Sequence, residues 1–234
     1  MAIDLTRFTP ARVALGRRGH SLPTAELLRF QFDHARARDA VYASLDPSTL
    51  GFDHVLVRSM ARDRDEFLRR PDLGRRLAEC TLARGDYDAA IVIADGLSAT
   101  AVHHHAAGVI TALMPLLEGW KLAPIVVALQ ARVALGDEIG EALGAKMVAM
   151  LIGERPGLTS PDSLGIYLTW DPRPGRTDAE RNCISNVRTE GISYELAARK
   201  LHFLMSEARR RKLSGVELKD EYQLPGGDDR RSLR

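Results

Sequence analysis

The feature that most limits the fold of this chain is a series of short apolar runs, each followed by a turn signal and most separated by helix-compatible stretches. AAIVIADG (89–96), PIVVALQ (124–130), AKMVAMLIG (145–153) and SLGIYLTW (163–170) are the length of strands. None of them alternates polar and apolar residues, so each is predicted to be buried on both faces. Ser98 caps a predicted helix reaching to about Glu118, and ARVALGDEIGEALG (131–144) is compatible with another. Buried runs joined through helices point to an α/β fold, with a mostly parallel, Rossmann-like sheet flanked by helices.

Before this block the texture differs. Residues 1–23 lack a clean period and read as an extended arm that lies on a partner. From Pro23 and Thr24 onward, Leu27, Leu28, Phe32, Ala35, Val41 and Leu45 recur at helical spacing, with Thr24 as N-cap and Asp46-Pro47 as the stop. A second helical segment, ARDRDEFLRR, breaks at Pro71 and resumes toward Leu82. The reading therefore divides the chain into a helical N-terminal segment with its arm (1–85), an α/β domain (86–218) and a disordered tail (219–234).

After Trp170 the stretch DPRPGRTDAERNCISNVRTEG is too polar for a core and is predicted to be a functional or mobile loop. A last helix begins at Ser193, with Leu196, Ala197, Leu201, Leu204 and Met205 as its apolar stripe.

Composition closes off several classes of function. A net charge of +2 supplies no field that selects nucleic acid. The longest apolar runs fall well short of the roughly 18 residues of a membrane helix, and the N-terminus carries no signal-peptide pattern. Two cysteines, Cys80 and Cys183, form neither a disulfide framework nor a metal motif, which fits a reducing cytoplasm.

In an open α/β sheet, ligands bind outside the carboxyl ends of the strands. That rule selects Asp95 to Ser98, the turn from Gln130 to Val133, and Glu154-Arg155-Pro156-Gly157. Dinucleotide and P-loop glycine signatures are absent, as is the nucleophile elbow of hydrolases. His103, His104 and His105 are consecutive, so on a helix their side chains fan out at about 100° each and are not expected to form a ligand set. No paired carboxylates, triad or metal cluster emerges from spacing, and the residues alone describe an α/β protein that binds rather than reacts.

Long blocks carry a resemblance. ARVALGRRGHSLPTAELLRFQFDHARARDAV (11–41), DGLSATAVHHHA (95–106), RVALGDEIGEALGAKMVAMLIGERPGL (132–158), SPDSLGIYLT (160–169) and ERNCISNVR (180–188) together resemble the small (light) subunit of ethanolamine ammonia-lyase. The resemblance implies an adenosylcobalamin-dependent lyase that converts ethanolamine to acetaldehyde and ammonia by a radical route. Its catalytic residues belong to a large subunit, with which the small subunit covers the cobalamin in a trimer of dimers of heterodimers. Val133, Glu154 and Cys183 match the family's cobalamin-contacting positions, and 86–218 becomes the cobalamin-binding domain. No metal ligands are implied in this chain. The DxHxxG signature of proteins that replace the cobalamin's lower base is absent, which implies base-on binding. Family members from shell-forming organisms carry a longer N-terminal extension, so a cytosolic enzyme without a shell is expected. The alternative left open is a non-catalytic α/β interaction protein that binds no corrinoid.

Overall fold

The apolar runs form one six-stranded sheet with helices on both faces. The computed structural model of the chain describes residues 5–9 and 11–222. Strands β1 (Val55–Arg58), β2 (Ala90–Ala94), β3 (Val126–Leu129), β4 (Met147–Gly153), β5 (Leu164–Trp170) and β6 (Arg181–Val187) lie in the order β1-β3-β2-β4-β5-β6. Helices α1 (Thr24–Tyr42), α2 (Arg64–Arg69), α3 (Ala99–Leu113), α4 (Leu135–Leu143) and α5 (Tyr194–Arg211) complete the regular structure.

Alternation along the central strands builds two cores. Ile91 and Ile93 of β2 and Met147, Ala149 and Leu151 of β4 face α3 and α5. Ala90, Val92 and Ala94, with Val148, Met150 and Ile152, face α4 on the opposite side. Successive side chains of a strand point to opposite faces, so a strand sandwiched between helix layers must be apolar at every position. All of β2 and β4 is buried. Each fully buried large side chain contributes about 1.5–3 kcal/mol relative to exposure, which makes this central pair the stable floor of the molecule.

The sheet is mixed, not mostly parallel. Strands β1 to β4 run parallel, whereas β4 pairs antiparallel with β5 and β5 with β6. The reason is the connections. A parallel crossover needs about a dozen or more residues and usually a helix, while 154–163 and 171–180 are shorter and contain no α-helix.

Two strands escaped the sequence reading, and both are at sheet edges. β1 lies inside the segment read as helical, so residues 1–85 are not wholly helical and this strand joins the sheet. In place of one long charged helix there is the single short helix α2, capped by Asp63, then an irregular stretch that touches β1 through a Ser59–Leu77 bridge. β6 occupies the stretch read as a loop, so Cys183 sits on a strand. Its burial alternates irregularly because one edge faces water.

Capping follows the sequence more closely. Ser98 Oγ accepts from the Ala101 N–H and starts α3, which gives way at Pro115 to a tighter turn, Met114–Leu117. Ser193 caps α5 by accepting from Leu196 N–H. Thr24 is the first residue of α1 and makes no cap; Pro23 precedes it.

The arm lies on its own helix. Arg12 Nη1 donates to Asp33 Oδ2 at 3.1 Å and Nη2 to the Glu26 carbonyl at 2.9 Å, with the guanidinium 5.3 Å from the Phe30 ring centre. Residues 1–4 and 10 of the arm, and 223–234 of the segment read as a disordered tail, lie outside the described residues. The described part of that segment is tied down through a Lys200–Asp220 ion pair and a Phe203–Tyr222 ring contact.

Candidate functional site

Three of the strand exits selected from the sequence converge. Asp95 and Gly96 follow β2, Gln130 and Ala131 follow β3, and Gly153 and Glu154 end β4. A cavity of about 420 Å³ opens there, lined by residues that include Gly96, Leu97, Val133, Glu154, Arg155 and Tyr167. Gly96 allows the close approach of β2 and β4 exits: its φ is +54°, and a Cβ would stand 2.2 Å from the Gly153 carbonyl oxygen. That oxygen accepts from Leu97 N–H at 2.9 Å, which locks the two turns together.

Asp95 is the organising anion. Buried at the end of β2, it accepts from Gln130 N–H at 2.9 Å and Ala131 N–H at 3.0 Å, and lies 3.4 Å from Arg64 Nη1. Burial pushes its carboxyl above the ordinary value, opposed by those N–H donors and Arg64. Gln130 makes its contact from the left-handed region, φ +55°, a conformation uncommon for a residue with a long side chain. The β3 exit is thus bent to serve Asp95.

Cations crowd the same rim. The guanidinium groups of Arg64 and Arg132 both lie over the ring of Phe67, 4.8 and 4.3 Å from its centre. Burial, then Arg64, Arg75 and Arg155, lower the pKa of Arg132. Arg64 Nη2, Arg132 Nε and Gln130 Oε1 are buried without a hydrogen-bond partner. A larger charged hollow of about 630 Å³ shares Arg132 and Val133 with the first and is lined by Arg75, Asp137, Arg176 and Arg181 among others.

Glu154 reaches across the sheet. Its carboxylate accepts from the hydroxyl of Ser163, from Ser185 Oγ at 2.5 Å and from Asn186 N–H at 3.2 Å. To do so it crosses β5 at Gly165, where the β5–β6 register shifts and a Cβ would meet Glu154 Cγ at 3.0 Å. Of roughly four acceptor positions on a carboxylate, three are therefore filled from within the chain. Glu154 is first a tie between the β4 exit and edge strand β6.

Cys183 is paired with Tyr167 across β5 and β6, and Tyr167 lines the cavity. The thiol retains an exposed edge, yet desolvation, and secondarily Glu154, raise its pKa. It stays protonated near neutrality and lacks nucleophile character. Val133 and Glu154 thus line one cavity directly, with Cys183 one strand beyond.

The sequence reading missed Arg64, and it selected the Gln130 to Val133 turn without singling out Arg132, because nothing in ARDRDEFLRR or QARVAL distinguishes a buried arginine from a solvated one. Nor did it find the neighbourhood of His104 and His105. Of the three histidines only His103 points away, its Nε2 accepting from Asp46 N–H at 3.0 Å. His104 and His105, however, both face Asp162 of the β4–β5 loop, at 3.5 and 3.4 Å.

The fold and site define an α/β protein that offers a cavity at the carboxyl ends of its parallel strands, ringed by binding groups. Sequence comparison gives the family. The model of the ethanolamine ammonia-lyase light chain matches residues 2–219, and the chain belongs to that family. It is 59% identical to the ethanolamine ammonia-lyase small subunit of Azotobacter vinelandii, over 94% of this chain and 88% of the relative. It is 54% identical to that of Pseudomonas fluorescens, covering 95% and 87%, and 54% to that of Xanthomonas campestris pv. campestris, covering 94% and 88%. Among the described residues no helix is long and apolar enough to cross a membrane.

Proposed function

We propose that this chain covers one rim of adenosylcobalamin in ethanolamine ammonia-lyase, assembled with a large subunit that holds the catalytic residues. The observation that carries the reading is the convergence of Val133 and Glu154 on one cavity, with Cys183 one strand away. A corrinoid far exceeds about 420 Å³, so the cavity fits an edge of such a ligand, the remainder resting on the partner.

The chemistry of the rim suits that edge. A corrin carries carboxamides, which donate and accept hydrogen bonds. Arg132 and Arg155, which line the cavity, supply donors and Glu154 an acceptor. Glu154 keeps about one acceptor position open toward an amide N–H, a charge-assisted contact. Val133 and Cys183 contribute backbone groups and small apolar surface. Adenosylcobalamin, when bound, supplies the cobalt–carbon bond whose homolysis starts radical deamination. The residues of this chain hold and orient, and none needs to exchange a proton.

Helix α1 supports the partner reading. Leu28 and Phe32, one turn apart on the helix, are 58% and 63% exposed, and Ala40 is the helix's buried residue. An apolar face of this kind left in water marks an interaction surface, here assigned to the large subunit.

The test is reconstitution. The chain alone should be inactive, with activity and a corrinoid absorbance band appearing on addition of the large subunit and adenosylcobalamin. Activity without the large subunit would overturn the reading. Assembly without any corrinoid band would favour the non-catalytic interaction protein.

A further inference from the structure

Outside the proposed cofactor rim, the side chains around Asp162 form a second site. We propose that His104, His105 and Asp162 bind one divalent ion of the zinc class, which ties helix α3 to the loop that follows β4.

The two distances to Asp162 suit such an ion. Asp162 Oδ2 is 3.5 Å from His104 Nδ1 and 3.4 Å from His105 Nε2, and the three ligand atoms all lie within 4.8 Å of one another. Ligands about 2.0–2.1 Å from a tetrahedral ion stand about 3.3–3.4 Å apart. Neighbours on a helix fan out, yet these two converge because His104 offers its near nitrogen and His105 its far one. Their rings are 5.7 Å apart and close to perpendicular.

The second observation is the state of His105. Its side chain is 3% exposed, and Nε2 is buried without a hydrogen bond while aimed at the Asp162 carboxylate. Tyr194 Oη lies 2.8 Å from His105 Nδ1, the ring's outer nitrogen. With the ring proton on Nδ1, the Nε2 lone pair is turned toward Asp162, where a cation would join it to the carboxylate. A hydroxyl on the outer nitrogen is the kind of support that metal-bound histidines use.

The fourth position is open. A cavity of about 350 Å³ borders His104 and Asp162 and admits water there. Asp162 lies between Pro161, whose carbonyl accepts from Ser98 Oγ, and Ser163, which donates to Glu154. An ion at Asp162 would therefore brace the loop that positions Glu154.

The experiment is titration of the purified full-length chain with Co²⁺, followed by displacement with Zn²⁺. One equivalent of Co²⁺ per chain should produce the intense visible bands of a four-coordinate site. Asp162→Asn and the exposed-site variant His104→Ala should abolish them without altering the far-ultraviolet circular dichroism. Tyr194→Phe should weaken binding about 10–100-fold, and His103→Ala should leave it intact. Absence of the bands in the parent chain, or their survival in both Asp162→Asn and His104→Ala, would overturn the proposal.

Discussion

Arg181 and Asp137 form a two-point ion pair inside the protein, Nη1 to Oδ1 at 2.7 Å and Nη2 to Oδ2 at 2.6 Å, with both side chains 2% exposed. The pair pins the first residue of edge strand β6 to helix α4, and Arg181 also donates to Thr169 Oγ1 and the Arg176 carbonyl. Removing one partner strands a buried charge. Arg181→Ala is expected to cost about 3–5 kcal/mol in urea unfolding, and the double change to Met at 181 and Leu at 137 should recover most of it. Equal losses in the single and double variants would show that the pair is not the source.

Glu154 carries two roles that can be separated. Ser185→Ala removes one internal tie and leaves the carboxylate, so it should lower stability by about 1 kcal/mol and spare corrinoid binding. Glu154→Ala should weaken the corrinoid band of the reconstituted complex and cost more stability than Ser185→Ala, since the buried Ser163 loses its acceptor while the exposed Ser185 and Asn186 turn to water. An unchanged band in Glu154→Ala would remove this residue from the ligand rim.

Acid should loosen the loop that leads into β6. The Glu180 carboxyl is lowered to about 2 by the Thr177 N–H, the Arg176 guanidinium and the Thr177 hydroxyl, and Glu66 is lowered to about 2 by Arg62. With folded values depressed, the unfolded chain binds more protons between about pH 4.5 and 2. The stabilisation is present above that window and disappears as the pH falls through it. Denaturation measured across the window should show stability rising with pH, with a shallower slope in Glu180→Gln; an identical slope would contradict the assignment.

On α1, Leu28→Glu combined with Phe32→Glu should impair assembly with the large subunit and leave the unfolding free energy of the isolated chain within about 1 kcal/mol of the parent. Normal assembly would place the interface elsewhere.

The strands that were legible before the structure were β2, β3, β4 and β5, the interior of the sheet. Burial on both faces forces each to be apolar throughout, and that signal survives in one dimension. β1 and β6 were not legible, for the same reason reversed. They are the two edges, where water on one side permits Arg58, Ser185 and Asn186 within a strand. The parallel exits could be selected from the sequence because a strand's carboxyl end is fixed by chain direction. What those exits hold could not.

By itself the sequence determined the α/β class, the helices α3, α4 and α5, the cap at Ser98, the start of α5 at Ser193, and the exits where Asp95, Val133 and Glu154 stand, since all of these follow from local periodicity and chain direction. The tertiary structure decided the rest. It set the antiparallel return of β5 and β6, the passage of Glu154 over Gly165 to Ser185, the burial of Arg64 and Arg132 against Phe67, and the meeting of His104 and His105 with Asp162. Each joins residues distant in the chain, and a contact of that kind exists only once packing has paired the elements that carry it.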